Sequence, residues 1–106
     1  MFLDKYLNSV YMDIIYDTYD EEYLKTLDEN NFLRVCSLLK SKGFYFIEDI
    51  IIKYLELFEI DVRYIERAIN DMERKLGSNY INILGNNISM ISDVIDNCYL
   101  YMEEDM

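Results

Sequence analysis

The stretch FYFIEDIIIKYLELFEI, Phe44 to Ile60, carries twelve apolar or aromatic residues and five charges in seventeen positions. At about 100° per residue, Ile47, Ile50, Ile51, Tyr54, Leu55, Leu57 and Phe58 gather on one arc, opposite Glu48, Asp49, Lys53, Glu56 and Glu59. A strand requires alternation, which EDIIIKYLELFE lacks. The pattern therefore predicts one amphipathic core helix. Ile52 falls among the acids. It reads either as a stray exposed apolar residue, common on surfaces, or as a contact anchor ringed by carboxylates.

The same periodicity predicts an all-α chain of about five helices. The first is expected from Leu3 to Tyr19, with Leu3, Leu7, Val10, Tyr11 and Ile14 on one face. An acidic connection, Asp20 to Asp28, holds a short turn around Tyr23, Leu24 and Leu27. Asp28 is placed to cap a second helix carrying Phe32, Val35, Cys36 and Leu39, which Gly43 closes. Asp61 is placed to cap a helix with Val62, Ile65, Ile69, Met72 and Leu76 inward, ending at Arg74, Lys75 and Gly77. A short helix, Tyr80 to Leu84, is expected to break at Gly85 before a last helix, Asn87 to Met102. That last helix presents Ile88, Ile91, Ile95, Cys98, Tyr99 and Met102.

A 34-residue offset relates Gly43 to Gly77, Val35 to Ile69, Ile47 to Ile81, Ile50 to Leu84 and Leu57 to Ile91. Such an offset is a sign of stacked helical pairs, each too small to bury its own apolar face. The expected organisation is one helical domain, 1–106. It comprises an N-terminal helix and acidic connection (1–27), two helical repeats (28–95) and an acidic end (96–106).

The segment NNFLRVCSLLKSKGFYFIEDIIIKYLELFEIDVRYIERAINDMERKLG resembles the helical repeat of the mitochondrial transcription termination factor (mTERF) family. The resemblance covers about residues 28 to 95 and implies a fold of stacked helix pairs. In that family a basic concave face commonly binds nucleic acid, and a proline often follows the second helix. This chain has no proline and a net charge of −11, so the resemblance is used for the fold, and no functional residue carries over.

Composition narrows the chemistry. There is no histidine, which removes the usual general base and the imidazole metal ligands. Cys36 and Cys98 sit on apolar helical faces and read as small core residues. No phosphate-binding loop, paired-cysteine zinc spacing or calcium-loop pattern is present. The expectation is a non-enzymatic protein with no cofactor and no metal. No stretch reads as a signal peptide or membrane span, which points to a reducing cytoplasm. If the chain is phage-encoded, that is the cytoplasm of the host.

Ten basic residues face 21 acidic ones. Charge of that size repels phosphate backbones and anionic membranes, so neither direct nucleic-acid binding nor membrane binding is expected. Seven acids and one base lie between Asp13 and Glu29, and no base follows Lys75. One reading is a solvated face. The other is a partner surface, in which Tyr16, Tyr19 and Tyr23 give rigid contact area among Asp13, Asp17, Asp20, Glu21 and Glu22. Leu100 and Tyr101, off the main apolar face of the last helix, extend that surface, and Ile52 is a further candidate anchor.

Small size, excess acid and missing catalytic groups look like phage-encoded inhibitors such as anti-CRISPR proteins, a resemblance of character rather than of motif. It implies a nucleic-acid mimic that binds and inhibits or modulates a basic protein, a nucleic-acid-binding enzyme or complex. The alternative is a structural or adaptor module that self-associates, as a homodimer, through Ile52, Leu100 and Tyr101. A third reading, ranked last, is a nucleic-acid binder using Arg63, Arg67, Arg74 and Lys75.

Overall fold

Asp28 and Asp61 begin two of the longest helices. The Asp28 carboxylate accepts from the Asn30 and Asn31 backbone N–H groups at 2.8 and 3.3 Å, and that of Asp61 from Arg63 N–H at 2.9 Å. Each satisfies donors that the first turn leaves without an intrahelical partner. Both helices end on a glycine at positive φ, Gly43 at 93° and Gly77 at 85°, a conformation that other residues enter at a cost.

The computed structural model describes residues 1–106 and contains helices and turns with no strand. Seven α-helices follow in order: α1 (Ser9–Thr18), α2 (Glu21–Lys25), α3 (Glu29–Lys42), α4 (Ile47–Lys53), α5 (Val62–Leu76), α6 (Tyr80–Asn86) and α7 (Ile91–Glu104). Short 3-10 turns lie at Phe2–Lys5, Leu55–Glu59 and Ile88–Met90. Helix α5 packs between α3 and α7, α6 lies on α5, and α4 bridges α1 and α3. The body measures 36 × 33 × 21 Å.

Twenty-six residues form one buried cluster, and none of them is charged. Ile65, Ala68, Ile69 and Met72 of α5 occupy its middle layer. They lie at the spacing that puts them on one helical face, and burying each large aliphatic side chain stabilises by roughly 1.5–3 kcal/mol. The Asn31 amide donates to the carbonyls of Phe58 and Ile60 at 2.7 and 3.0 Å. It ties the Leu55–Glu59 turn to α3.

Several expectations are corrected. The chain has seven helices rather than about five. The first does not start at Leu3: Asn8 adopts extended backbone and accepts from Tyr11 N–H at 3.0 Å, starting a new helix. That break turns the inward face to Met12 and Ile15 and leaves Val10 66% exposed. The Phe44–Ile60 stretch is not one helix either. Phe44 and Phe46 precede α4 as buried loop residues, α4 stops at Lys53, and a separate turn carries Leu55, Leu57 and Phe58 inward. Gly85 lies within α6 rather than ending it. A Cβ there would stand 2.6 Å from the Tyr45 hydroxyl and 3.1 Å from the Phe46 ring, so the glycine makes room for both aromatics. Helix α7 begins at Ile91, after a 3-10 turn, and buries Val94 in place of the expected Tyr99.

Candidate partner-binding cleft

Where α4 stops, the next turn swings Glu56 and Glu59 toward the end of α1 and the start of α2. The result is an open cleft of about 580 Å³, lined by Thr18, Tyr19, Asp20, Tyr23, Lys53, Glu56, Glu59 and Tyr99. Tyr19 and Tyr23 are stacked, with ring centroids 5.6 Å apart and planes 26° from parallel. Tyr99, from α7, is 45% exposed.

Hydrogen bonds hold the walls in place. The Tyr19 hydroxyl donates to the Ile52 carbonyl at 3.2 Å and accepts from Leu55 N–H at 3.4 Å. The Tyr23 hydroxyl donates to Glu59 Oε2 at 2.8 Å, which keeps that carboxylate oriented. Burial, then the bond to Glu59 and its negative charge, push the Tyr23 hydroxyl well above the ordinary phenol value. Burial raises Tyr19 as well, partly offset by the Leu55 N–H, with Glu56 adding to the rise. Tyr99 is raised by burial and then by Glu56 and Glu59. All three phenols therefore stay neutral donors at physiological pH and lie in a negative field.

No ion pair fixes a cation of the chain against that field, although Lys53 lines the same cleft. The ion pairs of the molecule are Met1 with Asp4, Lys5 with Glu29, Lys25 with Glu21, Arg63 with Asp61, Arg67 with Glu104 and Arg74 with Asp71. Asp20, Glu56 and Glu59 take part in none of them, and neither does Lys53. A concave surface with aromatic faces and free carboxylates suits a planar cation, which can stack on a ring and donate to carboxylates together.

Of the residues singled out from the sequence, Tyr19, Asp20 and Tyr23 meet in this cleft. Asp13, Tyr16 and Asp17 share an exposed face of α1, outside it. Glu21 and Glu22 are exposed in the first turn of α2, where Glu21 reaches Lys25 at 3.7 Å. Ile52 is half-buried rather than exposed, and its contribution to the site is its backbone carbonyl. Leu100 is 57% exposed. Tyr101, by contrast, is half-buried against α5: its hydroxyl donates to Asp71 and its ring lies 3.9 Å beneath the Arg67 guanidinium.

Lys53, Glu56, Glu59 and Tyr99 were not singled out as site residues by sequence reasoning. They lie on the polar arc of the Phe44–Ile60 pattern and at the edge of the α7 face, and only the break at Tyr54 brings the two glutamates beside Tyr23. Spacing within a single assumed helix carries no signal of that.

The remaining chemistry is quiet. Burial pushes the Cys36 thiol up to about 11 and the Cys98 thiol up to about 12, which keeps both protonated and poorly nucleophilic. No cluster of three or more cysteine, aspartate or glutamate side chains is arranged to hold a metal ion, and no helix is long and apolar enough to cross a membrane. Comparison with known protein families, with curated proteins and with solved structures finds no match to this chain.

Proposed function

We propose that this chain is a small, non-enzymatic binding protein that inhibits or modulates a basic, nucleic-acid-handling protein. The observation that carries the reading is the cleft in which Tyr19, Tyr23 and Tyr99 stand among three carboxylates with no internal cation partner. A cationic side chain of the partner enters this cleft, while Asp13, Asp17, Glu21 and Glu22 steer the approach from the adjoining surface. Carboxylates then occupy positions that phosphates take on the partner when it holds DNA or RNA. The setting is the cytoplasm, and the overall character is that of a phage-encoded inhibitor.

The helical scaffold in this reading is a duplicated pair at the 34-residue offset, as in mTERF-like repeats. In its support, Gly43 and Gly77 close α3 and α5, and 3-10 turns follow α4 and α6. Direct binding of nucleic acid is disfavoured, because Arg63, Arg67 and Arg74 are each paired with an acid of the chain itself.

The test is affinity capture from nuclease-treated cell lysate at low and high salt, using the natural chain and a variant with Asp17, Asp20, Glu21 and Glu22 changed to Lys. The reading predicts one basic protein, captured at low salt, released at high salt and lost with the variant. Equal capture by both chains contradicts it.

A further inference from the structure

A second concavity lies on another part of the surface. Between α3 and α4 runs an apolar groove of about 410 Å³, with Phe32, Leu33 and Cys36 on one bank and Ile47 and Ile51 on the other. Tyr6 closes one end, and Tyr45 stands at the rim, 65% exposed. No segment of the chain covers it. An apolar groove with exposed aromatics at its edge is the form of surface that another protein buries.

Charge selects the occupant. Residues 29–53 hold three acids, Glu29, Glu48 and Asp49, against four bases, Arg34, Lys40, Lys42 and Lys53, in a chain whose net charge is −11. The residues before and after this hairpin are strongly negative. The charged lining of the groove is itself balanced, one base and one acid, so a second copy approaching here meets no excess of like charge at the contact. The two charged groups that line the groove are self-complementary: Lys40 is on the α3 bank, Glu48 is on the α4 bank, and neither has an ion pair within the chain. A two-fold axis sets each bank against the opposite bank of the other copy, so one arrangement makes the Lys40–Glu48 contact twice.

We infer that this groove is the interface of a two-fold dimer of the chain, with Leu33 and Tyr45 of each copy seated in the groove of the other. The dimer leaves the acidic cleft free, since no residue lines both concavities. It does not depend on the function proposed above. Against the repulsion of two chains of net charge −11, the association is expected at the weak end of the specific range, with a Kd on the order of 10 µM. Salt strengthens it, because screening relieves the repulsion between two acidic bodies at longer range than the short Lys40–Glu48 contacts.

Sedimentation of the full chain across a concentration series tests this. The expected result is a species of twice 12.8 kDa at high concentration, populated more at high salt. Glu48→Lys weakens the dimer by about tenfold or more, and adding Lys40→Glu to it restores association. Circular dichroism on each variant verifies the fold, since Lys40 and Glu48 are both exposed. A chain that stays monomeric throughout overturns the inference, as does a dimer unaffected by Glu48→Lys. Occupation of the groove in a monomeric chain by an amphipathic helical peptide or a fatty acid also overturns it, and assigns the groove to that class of ligand instead.

Discussion

The phenol of Tyr19 meets the backbone of Ile52 across the interior edge of the molecule, donating to its carbonyl at 3.2 Å and taking the Leu55 N–H at 3.4 Å. In an uninterrupted helix, Ile52 O and Leu55 N would each find a backbone partner four residues away. The break at Tyr54 removes those partners, and one side-chain hydroxyl serves both groups. The turn after the break carries Glu56 and Glu59, which line the cleft beside Tyr19.

Tyr19→Phe is accordingly expected to lower stability by about 1–2 kcal/mol, the cost of two partly buried backbone groups losing their partner. Tyr16→Phe, on the exposed face of α1, is expected to change it by no more than about 0.5 kcal/mol. Urea denaturation of the two variants checks the contrast, and equal midpoints would remove the role given to Tyr19.

Tyr23 makes stability depend on pH at the alkaline end. Its hydroxyl, raised by burial and by Glu59, holds its proton more tightly in the folded state than in the unfolded chain, where a phenol titrates near 10. Below about pH 10 the unfolded chain also keeps that proton, and the contribution is complete. Above it the unfolded state releases the proton first, so stability falls as pH rises. Tyr23→Phe is expected to flatten that fall, measured as the pH dependence of the unfolding midpoint between about pH 9 and 11. An unchanged slope would place the alkaline loss elsewhere.

Two glycines separate backbone strain from crowding. Gly43→Ala places a side chain at φ 93° with only an ordinary 3.6 Å contact to Ile81, and is expected to cost about 1–2 kcal/mol. Gly85→Ala has no such backbone penalty, but its Cβ falls 2.6 Å from the Tyr45 hydroxyl and 3.1 Å from the Phe46 ring. Its cost is therefore expected to shrink when Tyr45→Ala is added, while the cost at Gly43 stays the same. A double-mutant cycle by thermal unfolding reads this directly.

Asp71 joins α5 to α7, accepting from the Tyr101 hydroxyl and pairing with Arg74. Asp71→Ala leaves the phenol without its acceptor and is expected to destabilise by about 1–3 kcal/mol. In the Tyr101→Phe background the same substitution should cost less. Additive losses would show that the bond is not a working part of the interface.

Much of the scaffold was legible in the sequence because its determinants are local. Asp28 and Asp61 as caps, Gly43 and Gly77 as stops, and the Ile65–Ile69–Met72 face of α5 all depend on residues within a few positions of one another. The cleft was legible only in part. Tyr19, Asp20 and Tyr23 stood out as aromatics among acids, but their partners lie 30 to 80 positions away along the chain. The break at Tyr54 depends on a hydroxyl from α1's far end, which no window around Phe44–Ile60 contains. Asn8 was legible in principle, as a capping residue, but the continuous apolar periodicity around it masked the stop.

The most direct measurement is a calorimetric titration of an oligo-arginine peptide into three chains: the natural one, Glu56→Gln/Glu59→Gln, and Glu66→Gln/Glu73→Gln. Both variants remove the same charge, but Glu66 and Glu73 lie outside the cleft. The cleft variant is expected to bind about tenfold more weakly or worse, while the control loses no more than about twofold. Equal losses in the two variants would mean that net charge alone draws the peptide, and would contradict the cleft as the binding site.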